Sequence, residues 1–146
     1  MKKSIICIAL ILSITSVSVF AGPVHQISKR VEAEFHKRFL NAEDVQWDEP
    51  GDFDRATFRI NESVLFAYFN PDGELIAVTR NILSDQLPIP LMITLKSNYS
   101  TYWIVELFEV HSNGDTHYYV TLNNADQELV FKSEGDEWKV FDEEKE

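Results

Sequence analysis

Between Val24 and Leu40 the apolar residues Val24, Ile27, Val31, Phe35 and Phe39 recur at three- and four-residue intervals. Lys29, Arg30, Glu32, Glu34, Lys37 and Arg38 take the remaining sides. That spacing predicts an amphipathic helix with one apolar stripe, closing near Asn41. The period then shortens. Val45-Gln46-Trp47 is a short strand candidate that ends at the turn signal Glu49-Pro50-Gly51. Ala56-Thr57-Phe58-Arg59-Ile60 alternates apolar with polar, the mark of a half-buried strand. A tight turn at Asn61-Glu62 leads into Val64 to Phe69, which is apolar on both faces. Asn70-Pro71-Asp72-Gly73 is a hairpin connection: proline suits the turn's second position, and glycine accepts the positive φ that closes it. Leu75 to Thr79 returns. Short links between consecutive strands imply an antiparallel meander.

The second half runs through the same kinds of element. Arg80 to Leu87 is a linker, after which Pro88 and Pro90 fit only a helix's first turn. Leu91, Leu95 and Tyr99 continue at four-residue spacing and predict a helix from about Ile89 to Tyr99. Strands follow at Trp103 to Val110, Thr116 to Leu122, Glu128 to Lys132 and Trp138 to Phe141, separated by Ser112-Asn113-Gly114, Asn123-Asn124 and Glu134-Gly135-Asp136. A constant offset of 62 positions carries Phe69 onto Phe131, Gly73 onto Gly135, Val78 onto Val140 and Ile27 onto Ile89. The fold expected from this is α+β: a tandem repeat of a helix plus a four-stranded antiparallel sheet, over about 24–80 and 86–142. Each unit would be a layer pair, and the two sheets could join edge to edge. Together the units make one domain, 22–142, with an acidic tail at 143–146.

The turn lengths assign faces. They put Phe58, Leu65, Ala67, Phe69, Leu75 and Ala77 on one side, and Arg59, Phe66, Tyr68, Ile76 and Val78 on the other. Both faces are substantially apolar. The second is either covered by other parts of the chain or open to a partner. An open face would engage a protein or peptide through Arg59, Phe66, Tyr68, Tyr119 and Trp138, because aromatic residues and arginine dominate binding hot spots. A slip of one residue in register would invert that assignment. The rival expectation is a small-ligand- or metal-binding envelope sensor. It requires a closed pocket between sheet and helix, or a metal held at His111 and His117. A three-residue loop would set those two histidines opposite each other, with Glu109 beside them.

Composition narrows the partners. Met1-Lys2-Lys3, an apolar and hydroxylic run from Ser4 to Ser18, and Val19-Phe20-Ala21 have the layout of a signal peptide, 1–21, cut after Ala21. The run is shorter than the roughly 20 residues a membrane span needs. Cys7, the sole cysteine, leaves with that leader, so the exported chain has no disulfide or thiol chemistry. Losing Lys2 and Lys3 takes the formal charge from −11 to −13. Such a surface repels phosphate backbones and anionic lipid, which argues against nucleic acid and membrane as partners. No Gly-x-Ser-x-Gly and no glycine-rich phosphate loop occurs. The acidic pairs Asp52/Asp54 and Asp72/Glu74 lack a calcium-loop pattern and read as solvated turns. The reading is a non-enzymatic protein with no cofactor, periplasmic or secreted.

The first helix, Val45-Gln46-Trp47, Arg55-Ala56-Thr57-Phe58, Ala67 to Gly73, Leu87-Pro88 and Tyr99 together resemble the PepSY-like family of exported bacterial proteins, also described as β-lactamase-inhibitor-like. The resemblance spans nearly all of the chain after the leader and contains no catalytic signature. It implies a fold like that of the β-lactamase inhibitory protein, whose sheets form an aromatic-bearing surface for a partner. Inhibition does not travel with the fold.

Overall fold

A computed structural model describes residues 27–141. The expected signal peptide and acidic tail lie outside the described residues. Helix α1 (Lys29–Arg38) starts later than the apolar spacing implied, because Ser28 caps it: the Ser28 hydroxyl accepts the Val31 N–H at 3.2 Å. Of the stripe, Val31 and Phe35 are fully buried. Four strands follow, β1 (Glu43–Asp48), β2 (Asp54–Ile60), β3 (Ser63–Phe69) and β4 (Leu75–Asn81). Within the linker Ser84–Gln86 makes one 3-10 turn, and α2 (Ile89–Asn98) opens with Pro90 in its first turn. Strands β5 (Trp103–Ser112), β6 (Asp115–Asn123), β7 (Glu128–Glu134) and β8 (Glu137–Val140) complete the described elements.

The expected tandem repeat of helix plus four-stranded sheet is overturned. Among the described residues eight strands form one antiparallel sheet in sequence order, β1 to β8, accompanied by two α-helices. The join is as regular as any other: Val78 to Asn81 of β4 pair with His111 to Phe108 of β5, and Ile82 N–H bonds Leu107 C=O at 3.0 Å. Two four-stranded sheets would each leave an unpaired edge here, and pairing the two edges satisfies both rows of backbone groups. The sheet is thus the unit of structure, and both helices pack on one of its faces.

Under α1 the core is aromatic: Val31, Phe35, Ala56, Phe58, Ala67 and Phe69 are buried together, with Phe39, Trp47 and Leu75 around them. Under α2 it is mainly aliphatic, from Leu87, Leu95, Leu107, Val120 and Leu122, closed by Phe131. The β4 face assignment also needs correcting. Phe69 faces Leu75, but Tyr68 faces Ala77 and Ala67 faces Val78, so the register slips after Leu75. Ile76 is the extra residue of a β-bulge, and it moves Ala77 to the open face and Val78 to the helical one.

Candidate binding face

Cross-strand registers define what the face without helices presents. One row runs Gln46, Thr57, Phe66, Thr79, Val110, His117 across six strands. A second runs Asp48, Arg55, Tyr68, Ala77. The third is Asn81, Phe108, Tyr119, Lys132, Lys139. Side chains in a row stand on the same face because residues directly opposite share the pleat. Among the described residues no element covers this face.

Its aromatic residues are arranged against one another and against cations. Tyr119 stacks on Phe108 with centroids 5.2 Å apart and planes 5° from parallel, and meets Phe141 edge-on at 5.3 Å. The Lys132 ammonium lies 5.8 Å from the Tyr119 centroid. On the other side of the face the Arg55 guanidinium lies 5.7 Å from the Phe66 centroid. Arg55 is held there by Asp48, to which its Nε donates at 2.8 Å. That bond, and a weaker one with Tyr68, make the guanidinium harder than usual to deprotonate. The cation over the Phe66 ring is therefore fixed in charge. Arg59 lies nearer the β1 edge, opposite Val64, with Nη1 3.7 Å from the Asp44 carboxylate.

The structure thus brings Arg59, Phe66, Tyr68 and Tyr119 to one face. Trp138 is not among them. It pairs with buried Ser133 and packs on the α2 core, and its Nε1–H donates to the Leu91 carbonyl at 3.0 Å. Glu134 and Glu137 flank a two-residue turn, Gly135-Asp136, with Gly135 at φ 60°. That turn length sets the strand phase one residue away from the expected one, so Lys139 stands where Trp138 was placed. Phe108, Arg55, Lys132 and Phe141 belong to the face and were not singled out from the sequence. Phe108 was within reach, since strand alternation sets it opposite in phase to Leu107; Phe141 ends the last expected strand, and placing Trp138 on the open face puts it on the other side.

The histidine set does not converge either. Ser112 pairs with Asp115, so the β5–β6 loop is Asn113-Gly114 alone, both at positive φ. Such a two-residue Asn-Gly hairpin sets His111 opposite Thr116 and His117 opposite Val110, and the two imidazoles emerge on opposite faces. His111 Nδ1 is 3.0 Å from the Thr116 hydroxyl, and His117 Nδ1 is 3.1 Å from the Ser133 carbonyl. Glu109 is taken by Arg80 in a bidentate pair, both contacts 3.1 Å.

An eight-stranded antiparallel sheet with both helices on one face defines the fold class, and solved structures share it. A DUF2874 family protein from Bacteroides uniformis matches with TM-score 0.72 at 14% identity, over 80% of this chain and 88% of its own. A BLIP-like protein from Bacteroides fragilis matches with TM-score 0.69 at 13% identity, over 79% and 86%. A proposed periplasmic protein from Bacteroides eggerthii also matches with TM-score 0.69 at 13% identity, over 79% and 89%. At these identities the likeness carries the fold. No family model matches the chain, and no curated protein matches it by sequence. No helix among the described residues is long and apolar enough to cross a membrane.

Proposed function

We propose that this chain is an exported, non-enzymatic binding module that holds a protein or peptide on its open sheet face. The observation that carries the reading is the set of half-buried rings, Phe66, Tyr68, Phe108 and Tyr119, on a face that no described element covers. Rings already held by neighbours lose little side-chain freedom when a partner docks, which favours them as anchors. Arg59, Phe66, Tyr68 and Tyr119 remain the proposed contact residues, joined by Phe108. The BLIP-like neighbour and the proposed periplasmic one support a partner-binding role in the cell envelope, and the PepSY-like kinship proposed from the sequence accords with both. Whether binding inhibits the partner is a separate property of the partner.

The test is affinity capture from envelope and secreted fractions, beside a Tyr68→Ala/Tyr119→Ala variant. A partner held by the parent and lost at least tenfold by the variant supports the reading, since two central aromatic anchors each contribute about 2 kcal/mol or more. Equal capture by both, with unchanged circular dichroism, places the partner elsewhere.

A further inference from the structure

The helical face carries a recess different in kind from the aromatic rows. A recess of about 340 Å³ opens between the 3-10 turn, the C-terminal half of α2 and the first residues of β5. Met92 and Lys96 on α2, and Leu95 and the C-cap residue Tyr99, are four residues apart, so adjoining ridges of one helix and its cap form its wall. Leu122, only 1% exposed, and Leu95 form the floor, so the recess reaches the core. Tyr102 lies edge-on to Tyr99 at 5.8 Å, and its hydroxyl accepts from Gln127 Nε2, which fixes the ring. The volume is at the lower end of those that hold small organic ligands.

The polar residues lining this recess say which end of a ligand they suit. Besides the two tyrosines they are Ser84, Ser100 and Lys96, and none is acidic. In a chain with formal charge −11, that is unusual local chemistry. Most other described cations are engaged: Lys37 and Arg38 by Glu34, Arg55 by Asp48, Arg59 by Asp44, Arg80 by Glu109 and Lys139 by Glu137. Lys96 makes no ion pair among the described residues. It sits exposed at the mouth of an apolar hole, on a flexible stem able to follow a ligand's charged end.

We propose that this recess binds an amphipathic monocarboxylate, an apolar chain or ring ending in one carboxylate. The apolar body lies against Met92, Leu95, Tyr99, Tyr102 and Leu122, and the carboxylate meets the Lys96 ammonium. This site is independent of the open sheet face, and its failure leaves the protein-binding reading untouched.

The experiment is calorimetric titration of the exported protein with decanoate below its micelle concentration, beside decanol and decyltrimethylammonium. Decanoate should bind with a stoichiometry of one, at least tenfold more tightly than either comparison ligand, because the head group adds a charge-assisted contact. Lys96→Gln should weaken decanoate about tenfold and leave decanol unchanged. Ser100→Trp, at the exposed rim, should block both while circular dichroism stays unchanged. No decanoate binding, equal binding of the cationic ligand, or insensitivity to both substitutions overturns the proposal. So does displacement of decanoate only by an apolar peptide that binds far more tightly, which would make the recess a side-chain pocket for a protein partner.

Discussion

The two ends of the sheet are covered in different ways. Helix α1 is charged on its outer sides and contributes one ring, Phe35, to a closely filled aromatic group: Phe58 at 5.0 Å, Phe39 and Trp47 at 5.2 Å, and Phe69 at 6.4 Å. Helix α2 is apolar on all sides over its first five residues, Ile89 to Ile93. It buries Leu91 and Leu95 but leaves Ile89 67% and Ile93 54% exposed, and it closes over an aliphatic core with a recess beside it. The rings under α1 meet one another directly, whereas the aliphatic residues under α2 leave a recess that reaches down to Leu122. The α1 end is a core of mutually packed rings, and the α2 end is a core with a recess beside its helix. That difference predicts where stability is concentrated and where a ligand fits.

The largest effect should come from the α1 end. Phe35→Ala removes a fully buried ring touched on several sides by other rings and should cost about 3–5 kcal/mol of unfolding free energy. Leu95→Ala should cost about 2–3 kcal/mol, low for its type, because the recess already leaves part of Leu95 without neighbours. Urea unfolding followed by circular dichroism measures both, through the midpoint at unchanged slope. If Leu95→Ala costs as much as Phe35→Ala, the two ends are packed alike and the comparison fails.

A smaller effect sharpens it. Ser133 is 1% exposed, and its hydroxyl accepts the Tyr118 backbone N–H at 2.8 Å, where β6 and β7 have stopped pairing directly. Ser133→Ala leaves that N–H without an acceptor and should cost about 1–3 kcal/mol, although alanine is the less polar residue. Hydrogen exchange at the Tyr118 amide should accelerate at the same time.

These contrasts also explain what could be read from the sequence. Strand positions were legible because period-two alternation and turn residues mark them locally, as at Asn70 to Gly73 and Asn113-Gly114. The α1 stripe was legible for the same reason, although the Ser28 cap shortened the helix. What failed depends on a single residue of count. The Ile76 bulge moved Val78 to the helical face, the two-residue Gly135-Asp136 turn carried Trp138 onto α2, and the Asn113-Gly114 loop separated His111 from His117. Side-chain faces alternate at every step, so one residue decides which side a group serves. The merging of the strands into one sheet depends on pairing between β4 and β5 across the intervening helix, which no local pattern encodes. The recess was likewise illegible: it arises from what α2 and β5 do not fill.

The least conspicuous contrast lies between the two cores, where polar groups sit on the helical face. Arg80 and Glu109 pair across β4 and β5, and Tyr118 stands opposite Glu109 on β6. Partial burial raises the Tyr118 phenol above its ordinary range, and the neighbouring Glu109 carboxylate raises it further, against a smaller opposing effect of Arg80. A group whose folded pKa is raised contributes stability that is complete below its unfolded pKa, here about 10, and that is lost as pH rises through the folded value. Above about pH 10 the unfolded chain therefore releases this proton before the folded one does, and stability falls. Tyr118→Phe removes the group and should leave a shallower alkaline decline, measured as the urea midpoint from pH 8 upward against the parent. Equal slopes for parent and Tyr118→Phe would remove the middle of the sheet as a source of pH dependence.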